Sequence, residues 1–240
     1  LTEKPSTTPE PPSALSSIPA AGRRREVPMS AELRFFYGPM DCGKSTLALQ
    51  INHNHASQGR RGLLLTQNDR SGTPVISSRM GVVDDALEVS EHSDLRLIVR
   101  DEWARGRRVD YLIVDEAQFL SEQQVEQLAE LADDSDVDVY AFGLATDFRS
   151  RMFPGSRRLF ELADSVTRLQ VEVLCWCGRV GSFNGRVVDG VLVSEGAQVL
   201  VADVATAKPA HVRYQVLCRR HWRSGDLGPA AVTQDELPLG

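Results

Sequence analysis

The stretch Tyr37-Gly-Pro-Met-Asp-Cys-Gly-Lys-Ser-Thr46 constrains this chain more than any other. It fits the pattern G-x-x-x-x-G-K-[ST], running from Gly38 through Gly43 and Lys44 to Ser45. A loop of this kind wraps a phosphate chain in backbone N–H groups. Its lysine adds a positive charge, and the hydroxyl that follows can ligate Mg²⁺. The glycines let the backbone come close to the ligand. The flanks agree with this reading. Residues 33–37 read as a strand, and residues 45–58 read as a helix stopped by Gly59. A helix N-terminus placed there adds its partial positive charge where phosphates would sit.

The pattern that follows alternates strand and helix. Residues 62–66 and 85–89 read as short strands, with a polar loop over 67–80 between them. A helix is expected over 93–105. Residues 109–115 are almost continuously apolar, as in a strand buried on both faces. Ser121-Glu-Gln-Gln124 is an S-x-x-Q capping box that opens a helix to about residue 132. Another strand follows over 137–143, then a helix over 156–163. Such alternation predicts a parallel sheet covered by helices on both faces. Beyond residue 165 the chain turns to short β-type runs, at 166–174, 187–193, 199–204 and 212–217, bracketed by cysteines. This part is too short for a large core of its own and reads as a small metal-stapled lobe. The organisation expected is therefore a Pro/Ser/Thr-rich tail over 1–30, a phosphate-loop domain over 31–170, a zinc-binding lobe over 171–224 and a flexible tail over 225–240. Met29 reads as the natural start, just ahead of the first strand.

Two further groupings carry chemistry. Asp115-Glu116 closes the apolar strand at its carboxyl end, where open α/β sheets place their ligands. Asp115 can hold Mg²⁺ through water, and Glu116 is then free to act as a general base. Cys175, Cys177, Cys218 and His221 form C-x-C and C-x-x-H pairs whose thiolates and imidazole suit tetrahedral zinc. The first pair is one residue tighter than the usual spacing. With no open coordination position indicated, the metal reads as structural. His53, His55, His92 and His211 show no ligand spacing. Phe148, Phe153 and Tyr214 lie in irregular or edge stretches, where aromatic rings can stack on a flat base.

Charge and length exclude other classes. The net charge of −6 gives no electrostatic case for bulk nucleic-acid binding. No apolar run reaches membrane-spanning length. Thiols grouped with a histidine, without an export signal, fit a reducing cytoplasm.

Taken together the motifs resemble the thymidine kinases of the small, zinc-containing type found in animals and many bacteria. The residues that carry the resemblance are Gly38 to Ser45, Asp115-Glu-Ala-Gln-Phe119, Gly143-Leu-Ala-Thr-Asp-Phe-Arg149, Phe153-Pro-Gly155, Cys175-Trp-Cys-Gly178 and Tyr214 to His221. The resemblance implies a RecA-like P-loop fold and transfer of the ATP γ-phosphoryl to the 5′-hydroxyl of thymidine, giving dTMP for salvage. It implies ATP contacts from Gly38, Pro39, Met40, Asp41, Cys42, Gly43, Lys44, Ser45, Thr46, Asp115 and Arg70. Glu116 matches the catalytic base. Met40, Phe119, Leu144, Phe148 and Phe153 match the thymidine pocket. Tyr214 matches a residue of the lasso, the loop that closes over the base from the zinc lobe. It also implies a homotetramer inhibited by dTTP. Asn68 stands where the family pattern has an acid, and 199–213 lacks the Gly-Gly expected before the tyrosine. The competing class is a P-loop ATPase or switch whose Glu116 activates water and whose zinc lobe binds a protein or single-stranded nucleic acid.

Overall fold

The computed structural model describes residues 31–67, 75–77, 83–196 and 211–229. Strands β1 (Leu33–Tyr37), β2 (Gly62–Gln67), β5 (Leu87–Val89), β6 (Tyr111–Asp115), β7 (Asp138–Gly143) and β8 (Ser165–Arg168) form one sheet. Its order is β5-β2-β6-β7-β1-β8, and every pairing is parallel. Two short strands, β3 (Val75–Ser77) and β4 (Val83–Asp85), pair antiparallel beside it.

Helix α1 (Lys44–Ser57) covers one face of the sheet. Its Ala48 and Leu49 pack on Leu64, Tyr111, Ile113, Tyr140 and Phe142. Helices α2 (Leu95–Ala104), α3 (Glu122–Ser135) and α4 (Pro154–Leu162) cover the other face. There Val99, Val125, Leu128 and Leu159 meet Leu33, Phe35, Leu112, Val114 and Val139. The pleat sends alternate residues to the two layers, which is why β6 is buried at all five positions. Both halves of the capping box on α3 are formed: Ser121 Oγ accepts the Gln124 N–H, and Gln124 Oε1 accepts the Ser121 N–H. Helix α4 begins two residues earlier than its apolar pattern indicates. Pro154 fits the first turn, where a missing N–H costs nothing.

At the sheet's amino end a polar network closes the layers. Arg60 pairs with Asp138 at 2.7 Å, and His55 Nε2 lies 2.9 Å from the Tyr140 hydroxyl. Burial and the Arg60 charge push the His55 pKa down. His55, which shows no ligand spacing, is thus a structural residue.

The small lobe is an antiparallel sheet in the order β10-β9-β11. Its strands are β9 (Phe183–Val188), β10 (Val191–Val193) and β11 (Val212–Leu217), followed by α5 (Arg219–Ser224). The apolar run 187–193 is broken by a two-residue turn. Asp189 and Gly190 both take positive φ, 48° and 83°, as a tight hairpin connection requires. The lobe's packing continues past α5. Leu227 joins the apolar residues around the cysteines, and Trp176 Nε1 donates to the Asp226 carbonyl at 3.0 Å. Residues 1–30, 230–240, and 199–204 within the late β-type runs lie outside the described residues.

Candidate functional site

The site forms at the carboxyl ends of β1, β6 and β7. The phosphate loop leaves β1 at Gly38, which has no room for a side chain: a Cβ there would lie 2.5 Å from Cys42 Sγ. Asp41 and Gly43 both take positive φ, 66° and 79°, curling the loop so that α1 starts directly behind it. No side chain caps α1. Its first-turn N–H groups therefore face the loop as an anion site. Lys44 Nζ spans the loop to the Pro39 carbonyl at 2.9 Å. Thr46 sits half-buried in the first turn of α1.

Strand β7 lies between β1 and β6, yet Ser45 reaches across to β6. Its Oγ donates to Asp115 Oδ2 at 2.7 Å. The Glu116 N–H donates to Asp115 Oδ1 at 2.9 Å. Burial, then the neighbouring Glu116 charge, push the Asp115 pKa up to about 6. A buried carboxylate held this way, beside a hydroxyl, offers hard oxygen donors suited to Mg²⁺. A divalent charge there would offset the desolvation.

Glu116 itself takes a left-handed conformation, φ 54° and ψ 33°. Such a backbone costs a non-glycine residue of order 1 kcal/mol or more and persists where the surroundings impose it. Here it turns the chain out of the strand into a 3₁₀ turn, Ala117–Phe119. Gln118 on that turn is buried. Its Nε2 donates to Glu116 Oε2, and its Oε1 accepts the Leu144 N–H at 3.0 Å. Gly143 makes this possible, since a Cβ there would lie 2.8 Å from Gln118 Oε1. Gly155 presses on the same turn: its Cβ would meet the carbonyls of Leu120, Ala117 and Gln118 at 2.5, 2.9 and 3.0 Å.

The apolar side chains expected around a nucleoside fall into two groups. Phe119 and Phe153 meet edge to face, with centroids 5.6 Å apart. Leu144 adjoins Ala145, whose carbonyl takes the Phe153 N–H, and its own carbonyl accepts the Ser156 hydroxyl. Phe148 lies at the far end of the loop 144–153 and is buried against the lobe. The Arg186 guanidinium covers its ring at 3.7 Å, and Arg186 Nε donates to the Tyr214 hydroxyl at 3.1 Å. Arg186 is only 2% exposed. Stacking on an aromatic face compensates part of the cost of burying its charge. Trp222 Nε1 also donates to the Phe148 carbonyl, at 3.1 Å. Met40 is tied to the lobe through its backbone, its N–H donating to Asn184 Oδ1 at 2.9 Å. Arg70 and Asn68 lie outside the described residues, as does 197–210, which includes most of the expected lasso.

Cys175, Cys177, Cys218 and His221 come together, with all ligand atoms within 4.8 Å of one another. Cys175 Sγ and Cys218 Sγ lie 3.4 and 3.6 Å from His221 Nδ1, and the Cys177 and Cys218 sulfurs are 4.0 Å apart. A tetrahedron with Zn–S near 2.3 Å and Zn–N near 2.0 Å has edges of roughly 3.5 to 3.8 Å. The cluster could therefore hold zinc. The short C-x-C spacing works because Gly178, at φ 78°, folds a tight knuckle in which its N–H donates to the Cys175 carbonyl at 2.8 Å. Trp176, between the two cysteines, stacks on His221 at 4.3 Å.

Gln118, Gly155, Asn184 and Arg186 join the site without having been singled out as site residues from sequence. Gln118 and Gly155 fall inside stretches that matched the family pattern, which is the one signal that could have found them. Among the described residues, no helix is long and apolar enough to cross a membrane.

Comparison with known proteins agrees with this geometry. A family model described as thymidine kinase matches residues 31–222. A thymidine kinase of Streptomyces coelicolor is 56% identical over 212 residues, covering 87% of this chain and 98% of that protein. Those of Streptomyces avermitilis and Cutibacterium acnes are 52% and 49% identical, also over 87% of this chain, and over 98% and 97% of their own lengths.

Proposed function

The chain belongs to the thymidine kinase family, and from that premise we propose how its own residues carry out the transfer of the ATP γ-phosphoryl to the 5′-hydroxyl of thymidine. The observation that carries the reading is the single constellation Lys44, Ser45, Asp115 and Glu116, with Glu116 held by Gln118. Phosphoryl transfer asks mainly for alignment and charge neutralisation. The loop from Gly38 to Thr46, through its amides from Gly43 onward, and the Lys44 ammonium bind the triphosphate. Ser45 and Asp115 would hold Mg²⁺, which supplies positive charge to the phosphate oxygens. Arg70 belongs to the same phosphate side in this reading.

Glu116 accepts the proton of the 5′-hydroxyl as that oxygen attacks the γ-phosphorus. Gln118 fixes the carboxylate's direction by donating to one oxygen, leaving the other for the proton. Because the same amide accepts the Leu144 N–H, the base is set relative to the pocket wall. Met40, Phe119, Leu144 and Phe153 line the nucleoside site, and Phe148 with Tyr214 forms its lobe side. Zinc on Cys175, Cys177, Cys218 and His221 would staple the lobe that carries the lid, whose closure excludes water.

The same reading includes a homotetramer, inhibition by dTTP and a cytoplasmic location. Light scattering of the purified protein, dTTP titration of the initial rate and cell fractionation test these in turn. The reaction itself is tested by ADP release from ATP with and without thymidine. Release that depends on thymidine is expected. Strong release without any nucleoside would favour a water-activating ATPase instead.

A further inference from the structure

The lobe touches the phosphate loop at one point that the scheme above leaves unused. Asn184 on β9 is 5% exposed. Its Oδ1 accepts the Met40 N–H at 2.9 Å, and its Nδ2 donates to the Thr146 carbonyl at 3.4 Å. One buried amide therefore joins the loop that binds the donor to the loop 144–153 on the acceptor side, and both joints are made from a third element. We propose that Asn184 is a positioning residue for phosphoryl transfer, holding these two loops in register from the zinc lobe. The inference rests on the thymidine kinase reading above.

Three observations support it. First, successive residues of a strand face opposite sides. Gly185 faces the lobe's interior, since a Cβ there would meet Leu192 at 2.6 Å and Leu217 at 3.2 Å. Asn184 and Arg186 share the other face, and both reach the core domain, Arg186 through Phe148. That face of β9 is one of the lobe's contacts with the active site, beside Trp222 on the Phe148 carbonyl. Second, Asn is a poor strand former. Its place inside β9 is explained by the bonds it makes rather than by propensity. Third, the Met40 N–H is taken up by the lobe rather than left to face the anion. A buried N–H without a partner costs free energy comparable to a lost hydrogen bond. The loop's entry is therefore bound to the lobe's position. In a reaction governed by alignment, a misplacement of about 1 Å can cost about a hundredfold in rate.

The test compares wild type, Asn184→Leu and Asn184→Asp in steady-state kinetics, and measures hydrogen exchange of the Met40 amide by NMR. Leucine keeps the branched shape, with some added bulk, and loses both bonds. Its kcat should fall about tenfold or more, with KM for ATP moving less. Aspartate keeps the acceptor for the Met40 N–H but loses the donor to the Thr146 carbonyl and sets a buried carboxylate against that oxygen, so its kcat should fall as well while the Met40 amide stays protected. The Met40 amide should exchange slowly in wild type and in Asn184→Asp. Wild-type kcat in Asn184→Leu, or a Met40 amide as protected in Asn184→Leu as in wild type, overturns the proposal. If the leucine variant does not fold, fast Met40 exchange in wild type or a wild-type kcat in Asn184→Asp overturns it by itself. Thymidine phosphorylation by wild type separates the two readings: its absence removes the function, whereas its presence with an unaffected Asn184→Leu removes only this inference.

Discussion

Replacing Asp115 by Asn should stabilise the metal-free, nucleotide-free protein at neutral pH while weakening its hold on Mg²⁺. Asp115 is buried, and its pKa rises from an ordinary 3.8 to about 6. Between those two values the native state holds more protons than the unfolded chain, so this group's contribution to stability falls as pH rises. Above both values the charged native carboxylate costs about 3 kcal/mol relative to a neutral one. Asparagine carries no such charge and can keep both contacts. Its Oδ1 accepts the Glu116 N–H, and its Nδ2 donates to Ser45 Oγ, whose proton turns away. Urea unfolding of both proteins, with chelator for free Mg²⁺, measures the difference. Asp115→Asn should be more stable by about 2–3 kcal/mol near pH 7.5, shrinking to about 1 kcal/mol near pH 4.5. With Mg²⁺ and ATP added the difference should shrink or invert, because wild type gains the larger ligand stabilisation. An Asn variant no more stable than wild type near pH 7.5, or a difference that does not change with pH, would refute the reasoning.

Three other outcomes follow from the geometry. Gln118→Leu removes the donor to Glu116 and leaves the Leu144 N–H unpaired; kcat should fall about tenfold or more with KM for ATP nearly unchanged, as read from initial rates. Gly155→Ala places a methyl against three backbone carbonyls that cannot swing aside. It should cost about 1–3 kcal/mol in thermal unfolding and lower kcat, since the same turn carries Gln118. Removing zinc with a strong chelator, or making Cys218→Ser, should release the lobe. Trp176, stacked on His221 at 4.3 Å, should report this as a change in fluorescence. Unchanged fluorescence and unchanged unfolding after zinc removal would show that the cluster is not the staple described here.

Much of this site is written in contiguous residues, and that part is legible in sequence. The phosphate loop needs its glycines and lysine at fixed offsets, so Gly38 to Ser45 announces both its backbone shape and its ligand. Asp115 and Glu116 stand out because an apolar strand ends abruptly in two acids. The zinc ligands are recognisable by residue type, although only the fold shows that Gly178 lets a one-residue spacer work. What sequence could not supply is contact between distant segments. Asn184 lies 144 residues from Met40, and no local pattern relates them. Arg186 reads as an ordinary exposed arginine until Phe148 is found beneath it. The strand order is equally non-local, since β7 comes to lie between β1 and β6. Two local signals were present but weak. The Asp189-Gly190 turn divides an apolar run that looks continuous, and Pro154 marks a helix start ahead of the apolar pattern.

The central claim is that Glu116 accepts the 5′-hydroxyl proton while the phosphate loop and Asp115 hold the donor. It is tested most directly by transfer of label from γ-labelled ATP to thymidine in wild type and Glu116→Gln, under saturating substrates. The glutamine variant should bind ATP with an affinity close to wild type and transfer label about a hundredfold more slowly or worse. Transfer at close to the wild-type rate in Glu116→Gln would contradict the account.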